Sequence, residues 1–412
     1  MRLKIKAKPE DFVVEEIASL PLINKGDYGA YLLKKKGWNT IDLLLELSRR
    51  LNIPFTHFSY GGRKDRYALT SQYISIKSPR SFDLKENSYS LTRVGVMERP
   101  MGPDLIQGNK FEIAVRKLNK EDSDKISSLV QNAGSTGYPN YFDDQRFGSF
   151  DSRQGFFAEK LLRQQFNGAL KIYLTRASSE DNKEEKARKN FFFERWKDWE
   201  ACLKKAKTRF EKRAFAFLAR NPSGFLEVLK GVPRHELSAF IASYQAYLWN
   251  EMLRRLIKQE LPGPFKSYSG LAGEYIFFTN FDENENRYFK NLAIPVPGAK
   301  PKTEDALVKS VYLQVMEANN LKNSMFNKVK LRRTFFKSFG RSAMVKPDGL
   351  SFDFLDDELY PGRKKLRLKF QLPRGSYATM FIKRIFCSTR PYRMCRYAAF
   401  CGEFIIERPG IS

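Results

Sequence analysis

The period of the hydrophobic pattern changes twice along this 412-residue chain, and those changes limit the possible folds more than any other feature. Up to about residue 150, and again beyond Gly349, apolar residues alternate in short runs, whereas from about Asp151 to Ile257 they recur at helical spacing. Period-two alternation belongs to strands with one buried face, and three-to-four spacing belongs to helices packed along one stripe. Strands are predicted at Phe12–Ile17, Tyr28–Lys34, 69–76, 110–116 and 366–372. A helix is predicted at Thr40–Leu51, capped by Asn39 or Thr40, with Ile41, Leu44, Leu45 and Leu47 facing the core; another runs from Ser123 to Ala133. Longer helical patterns cover Phe156–Phe166, Phe191–Phe217 and Leu237–Ile257. Gly263–Gly273 and Ile294–Lys302 read as loops, and Asp282–Arg287 as a polar turn. The expected fold is therefore α+β. If the late strand joins the first sheet, the helical middle is an insertion, as befits a chain too long for one core.

Lys and Arg number 73 against 46 Asp and Glu, a formal charge of +27 that points to a polyanionic partner. The 35 Phe and 19 Tyr mark a folded protein, and aromatics among cations suit stacking on unpaired bases. No run of eighteen apolar residues occurs and Met1–Lys6 alternates like a strand, so a cytoplasmic protein without membrane attachment is expected. Four cysteines (Cys202, Cys387, Cys395 and Cys401) do not make a disulfide framework. With His57 and His235 the only histidines, neither a zinc site at the last three cysteines nor an imidazole-based mechanism is favoured.

One segment carries chemistry of its own. Gly61-Gly62-Arg63-Lys64-Asp65-Arg66 sets a lone carboxylate between cations on a turn, and the alternation from Leu69 to Ile76 follows as a half-buried strand. The paired glycines are expected to supply backbone angles closed to other residues. A solvated turn would look the same, so the segment gains meaning from others. Asp143-Asp144 offers a competing reading as metal-binding carboxylates of a nuclease, but neighbours on a strand face opposite ways and make a poor chelate.

Four segments in order resemble the TruD family of tRNA pseudouridine synthases: Lys6-Ala7-Lys8-Pro9-Glu10-Asp11-Phe12-Val13-Val14-Glu15-Glu16, Gly61 to Gln72, Asn140-Tyr141-Phe142-Asp143-Asp144-Gln145-Arg146-Phe147-Gly148, and Leu372-Pro373-Arg374-Gly375-Ser376-Tyr377-Ala378-Thr379. The resemblance implies an α+β catalytic domain with a mixed, mainly antiparallel sheet and flanking helices, split into residues 1–154 and 345–412, with a TRUD domain inserted at 155–344. It implies conversion of uridine to pseudouridine in tRNA, most often at uridine 13 of the D arm. Asp65 matches the family's catalytic aspartate, acting either by covalent attack or by removal of the ribose C2′ proton. Lys6 matches its cationic neighbour, in preference to Lys64. Phe142 matches the aromatic that stacks on the flipped base, and Phe12, Asn140 and Tyr377 match positions that contact the nucleotide. Asp143 and Tyr377 stand where many relatives carry glycine and phenylalanine. No cofactor, metal or obligatory protein partner is expected, since bond exchange within one nucleotide needs no external group. The alternatives are a non-catalytic RNA-binding protein and the same isomerase acting at another RNA position.

Overall fold

A computed structural model describes residues 3–178, 181–261, 263–278, 283–329, 331, 334–387, 393–394 and 406–407. The chain divides into two compact units, Met1–Tyr138 with Val345–Ser412, and Pro139–Met344. The Asn140–Gly148 segment therefore packs with the middle of the chain.

The first unit is built on a ten-stranded sheet. Its main strands are β1 (Phe12–Ala18), β2 (Tyr28–Lys36), β3 (Leu69–Lys77), β4 (Tyr89–Met97), β5 (Ile106–Leu118), β6 (Asp348–Asp356) and β7 (Lys364–Pro373). They lie in the order β6-β7-β5-β1-β3-β2-β4, with the short strand Leu84–Lys85 beyond β4. Of these pairs β1–β3 is parallel, with Val13 opposite Leu69, and the others are antiparallel. The late strand β7 pairs with β5 from Lys364 opposite Leu118 to Pro373 opposite Gly108, so the chain returns to its first sheet after the helical middle.

On one face of this sheet lies a helix over Thr40–Leu51, whose Asn39 side chain accepts from Asp42 N–H at 3.0 Å. Leu43, Leu44 and Leu47 enter the core with Tyr31, Leu33, Ile74, Ile76 and Leu91. The apolar face is thus rotated from the expected one: Leu45 is exposed and Ile41 half-buried, because Thr40, Leu43, Leu44 and Leu47 share the inward stripe. Another cluster joins β5, β7 and the helix Ala378–Cys387, where Phe111 stacks on Phe370 (5.5 Å between centroids) and Phe370 meets Phe381 edge-on at 5.0 Å.

The second unit is organised by a 27-residue helix, Arg234–Glu260, which buries Tyr244, Leu248, Trp249, Met252 and Leu256. Three expectations change here. The pattern across Phe191–Phe217 is three helices, Lys183–Glu194, Trp199–Lys205 and Arg209–Arg220, each started by a side-chain cap from Asn182, Asp198 or Thr208. Gly263–Gly273 is not a loop: Phe265–Gly270 pairs with Gly273–Phe278, and Asp144 Oδ1 pins the hairpin by accepting from Leu271 N–H (2.7 Å) and Tyr275 Oη (2.8 Å). The segment read as a polar turn opens a helix over Glu283–Asn291, anchored by buried Phe289 and by the Tyr288 hydroxyl on Asp305 at 3.0 Å; Asp282 lies outside the described residues.

Candidate active site

Asp65 sits on the loop that leads into β3, and four side chains from other segments hold that loop. Gln72 Nε2 donates to Gly62 O at 3.2 Å, while Thr40 Oγ1 accepts from Lys64 N–H at 3.0 Å and donates to Gln72 Oε1 at 3.0 Å. Lys35 Nζ donates to the carbonyls of Asp65 (2.7 Å) and Lys64 (3.3 Å). Lys6 Nζ reaches the Asp65 carboxylate at 2.5 Å. Neither Gly61 nor Gly62 has positive φ, contrary to the expectation for the paired glycines. Gly61 is needed instead for space: a Cβ there would lie 2.3 Å from Ile106 Cδ1 and 2.9 Å from Gly102 O. Gly61→Ala is expected to destabilise the protein by about 1–3 kcal/mol, seen as a lower urea midpoint. Gly62→Ala, whose Cβ meets Ile106 Cδ1 only at 3.8 Å, is expected to be nearly neutral. Equal midpoints for the two variants would contradict this packing.

The two lysines nearest in the sequence argument take different partners. Lys64 Nζ pairs with buried Glu16 Oε1 at 2.9 Å and donates to Asn109 Oδ1, while Glu16 Oε2 accepts from Tyr73 N–H at 2.9 Å. Lys6 therefore supplies the cation on Asp65. Its backbone is held at φ +61°, an uncommon conformation for a residue with a side chain, between the strand Lys4–Ile5, which pairs with β5, and the turn Pro9–Asp11. Lys6 Nζ also lies 4.3 Å from the ring centroid of Phe12, so Lys6, Phe12 and Asp65 come together. The carboxylate keeps about a third of its surface exposed while its lysine is buried, an arrangement that leaves the anion open to a ligand.

Tyr377 belongs to the same unit and starts the helix Ala378–Cys387; its carbonyl accepts from Tyr138 Oη at 3.2 Å and Met380 N–H at 3.0 Å. Beneath these residues Arg116, buried in β5, donates to Asp11 at 2.7 and 2.8 Å, to Asp357 at 2.7 Å and to Glu358 at 2.8 Å. Burial alone would lower the guanidinium's pKa, but the hydrogen bonds to Asp11, Glu358 and Asp357 hold it above its ordinary value. The same contacts with Arg116, Lys365 and Lys8 hold Glu358 well below the usual carboxylate range. The network ties the turn before Phe12 to the C-terminal part of the sheet.

In the second unit Asn140 and Phe142 are brought together around Arg341. Arg341 donates to Asn140 O at 2.7 and 3.0 Å and to Asn140 Oδ1 at 2.7 Å, and Asn140 Nδ2 donates to Ser342 O at 3.0 Å. The Arg341 guanidinium lies 4.0 Å from the Phe142 ring centroid, and Trp249 meets that ring edge-on at 5.5 Å. Asn250 clasps the Phe142 backbone on both sides, accepting from N–H at 2.9 Å and donating to O at 2.8 Å. Both predicted residues are buried, and Asp144 is committed to the hairpin as described. Among the described residues no cluster of three or more His, Cys, Asp or Glu could hold a metal ion; Cys395 and Cys401 lie outside them.

Lys35, Glu16, Asn109, Arg116 and Arg341 were not singled out from the sequence. For Lys35 a signal was present: it shares the inward phase of Tyr31 and Leu33 on β2, so a lysine falls at a core position. Within the basic Lys183–Arg213 stretch, Arg188 pairs with Glu211, Lys189 with Asp181 and Lys207 with Glu184. No helix among the described residues is long and apolar enough to cross a membrane.

The site thus consists of a mixed sheet, completed by a strand from the far end of the chain, that presents one partly exposed carboxylate with a buried lysine behind it. Residues 1–385 match the family model described as tRNA pseudouridine synthase D (TruD). The chain is 32% identical over 391 residues to the probable tRNA pseudouridine synthase D 1 of Methanococcus maripaludis, covering 93% of this chain and 99% of that one. It is 31% identical to the tRNA pseudouridine synthase D of Aquifex aeolicus, covering 94% and 99%. A crystal structure of the putative TruD from Methanosarcina mazei superposes with a TM-score of 0.67 at 25% identity, covering 93% of each chain. This chain belongs to the TruD family of tRNA pseudouridine synthases.

Proposed function

We propose that the protein isomerises one uridine of tRNA, uridine 13 of the D arm, with Asp65 as its single catalytic carboxylate. The observation that carries this reading is the Lys6–Asp65 pair at 2.5 Å, in which the cation is buried and the anion faces outward. In the reaction the N1–C1′ bond breaks, C5 bonds to C1′, C5 gives up its proton and N1 gains one. Asp65 acts at the ribose, and the Lys6 ammonium pairs with its carboxylate at 2.5 Å. Phe12 and Tyr377, and in the second unit Asn140 and Phe142, are assigned to the nucleotide. Ser342 O and Arg341 engage one donor and one lone pair of the Asn140 amide, which has two of each, so the amide retains the groups a uracil edge would use. The division of labour follows the family resemblance: residues 1–154 and 345–412 form the catalytic domain and 155–344 the TRUD domain.

The charge of +27 supports tRNA as substrate, because phosphate neutralisation supplies most of the affinity for a nucleic acid. Extracting a stacked uridine costs a few kcal/mol, which such contacts offset. The test is to incubate the protein with unmodified tRNA transcripts and map pseudouridine by chemical adduct and reverse transcription. A stop at uridine 13 is expected. A stop at another uridine alone would refute the position and keep the isomerase; tight tRNA binding without any stop would favour the RNA-binding protein.

A further inference from the structure

A lysine at the centre of a sheet is costly to bury, and Lys35 on β2, between β3 and β4, is 1% exposed. Its hydrogen-bond partners are all main chain. Its ammonium donates to three carbonyls: Trp38 at 2.7 Å, Asp65 at 2.7 Å and Lys64 at 3.3 Å. Two of the three belong to the residues that carry and precede the candidate catalytic carboxylate. We propose that Lys35 is a positioning residue of the reaction, whose three-fold donation fixes the backbone of residues 64–65 and so aims the Asp65 side chain. The proposal rests on the reading of Asp65 given above.

The geometry requires the charged form. An ammonium has three N–H donors and no acceptor, so it matches three carbonyls. A neutral amine has two donors and a lone pair, which would face one carbonyl unfavourably and release it. Burial lowers the Lys35 pKa to about 8; facing charges modify this, Asp65 upward and Lys64 downward. Lys64 is itself neutralised by Glu16, so its influence is partly offset. As pH rises through about 8, Lys35 loses its proton and with it one of its three carbonyl contacts. Stability runs the other way: from about pH 8 to its unfolded value the unfolded chain holds a proton that the folded one lacks, so Lys35 makes the fold more stable as pH rises. A lysine with only a structural role would not produce lower activity with higher stability.

The test is the single-turnover rate of pseudouridine formation, with enzyme in excess over tRNA, from pH 6.5 to 9 for wild type, Lys35→Met and Asp65→Asn. The wild-type rate is expected to fall as pH rises above about 8, while its urea midpoint, relative to Lys35→Met, rises. At pH 7 Lys35→Met is expected to lose about 100-fold in rate, to follow no such alkaline fall, and to bind tRNA within about threefold of wild type. A wild-type rate that stays flat to pH 9 overturns the proposal and needs no variant to fold. A folded Lys35→Met protein with a wild-type rate at pH 7 also overturns it. Product from Asp65→Asn would instead refute the reading of Asp65, which keeps the two failures distinct.

Discussion

Asp65→Asn is expected to lower pseudouridine formation by about 10⁴-fold or more, with tRNA affinity little changed. Asparagine keeps the size of the side chain and an oxygen that can accept from Lys6 Nζ, so the contact at 2.5 Å has a substitute. The loop is held through backbone carbonyls, Thr40 and Gln72, none of which the substitution touches. What is lost is the negative charge, and with it the ability either to attack carbon or to take a proton. Removing an anion from a protein of charge +27 cannot weaken attraction to phosphate, so a loss of product here is a loss of chemistry. The checking measurements are product per tRNA under single turnover and the tRNA dissociation constant on the same preparation. Unchanged product formation by Asp65→Asn would remove Asp65 from the reaction.

Arg116→Met is expected to destabilise the fold by about 3–5 kcal/mol, as a shift of the urea midpoint. The substitution leaves Asp11 and Asp357, both buried, without the guanidinium that meets them at 2.7 Å. Backbone donors do remain, Lys8 N–H on Asp11 and the N–H groups of Lys117 and Leu359 on Asp357, so the loss stems from uncompensated charge and not from wholly unsatisfied oxygens. Glu358 is half-exposed and retains Lys8 and Lys365, so it contributes little. Adding Asp11→Asn to Arg116→Met is therefore expected to restore part of the stability, because it removes one of the stranded charges. A single Arg116→Met within about 0.5 kcal/mol of wild type would show that the network stabilises nothing.

Strands and long helices were legible because a single buried face imposes a period. The alternation in residues 69–76 and 366–372 appears as β3 and β7, and Leu237–Ile257 lies within one helix. Boundaries set by a single polar side chain were not legible. Asp198 and Thr208 each restart a helix inside what reads as one apolar pattern, and Asp144 turns a glycine-rich stretch into a hairpin from more than a hundred residues away. The site divides the same way. The Lys6–Asp65 pair, whose partners are 59 positions apart, was expected from family motifs, since no local pattern relates such distant residues. Lys35 could have been found from the phase of β2, whereas Arg341, joined to Asn140 across 201 positions, leaves no periodic trace. Gly61 was singled out for its backbone freedom, yet its need arises from Ile106 and Gly102, a contact that only packing reveals.

The most direct measurement is proton release from C5, because the isomerisation cannot occur without it. A tRNA transcript carrying tritium at C5 of uridine is mixed with excess wild-type protein or with Asp65→Asn, and tritium entering water is counted. Wild type is expected to release the label of one uridine per tRNA and Asp65→Asn none above background. No release by folded, tRNA-bound wild type, or equal release by the two proteins, would contradict an isomerase acting through Asp65.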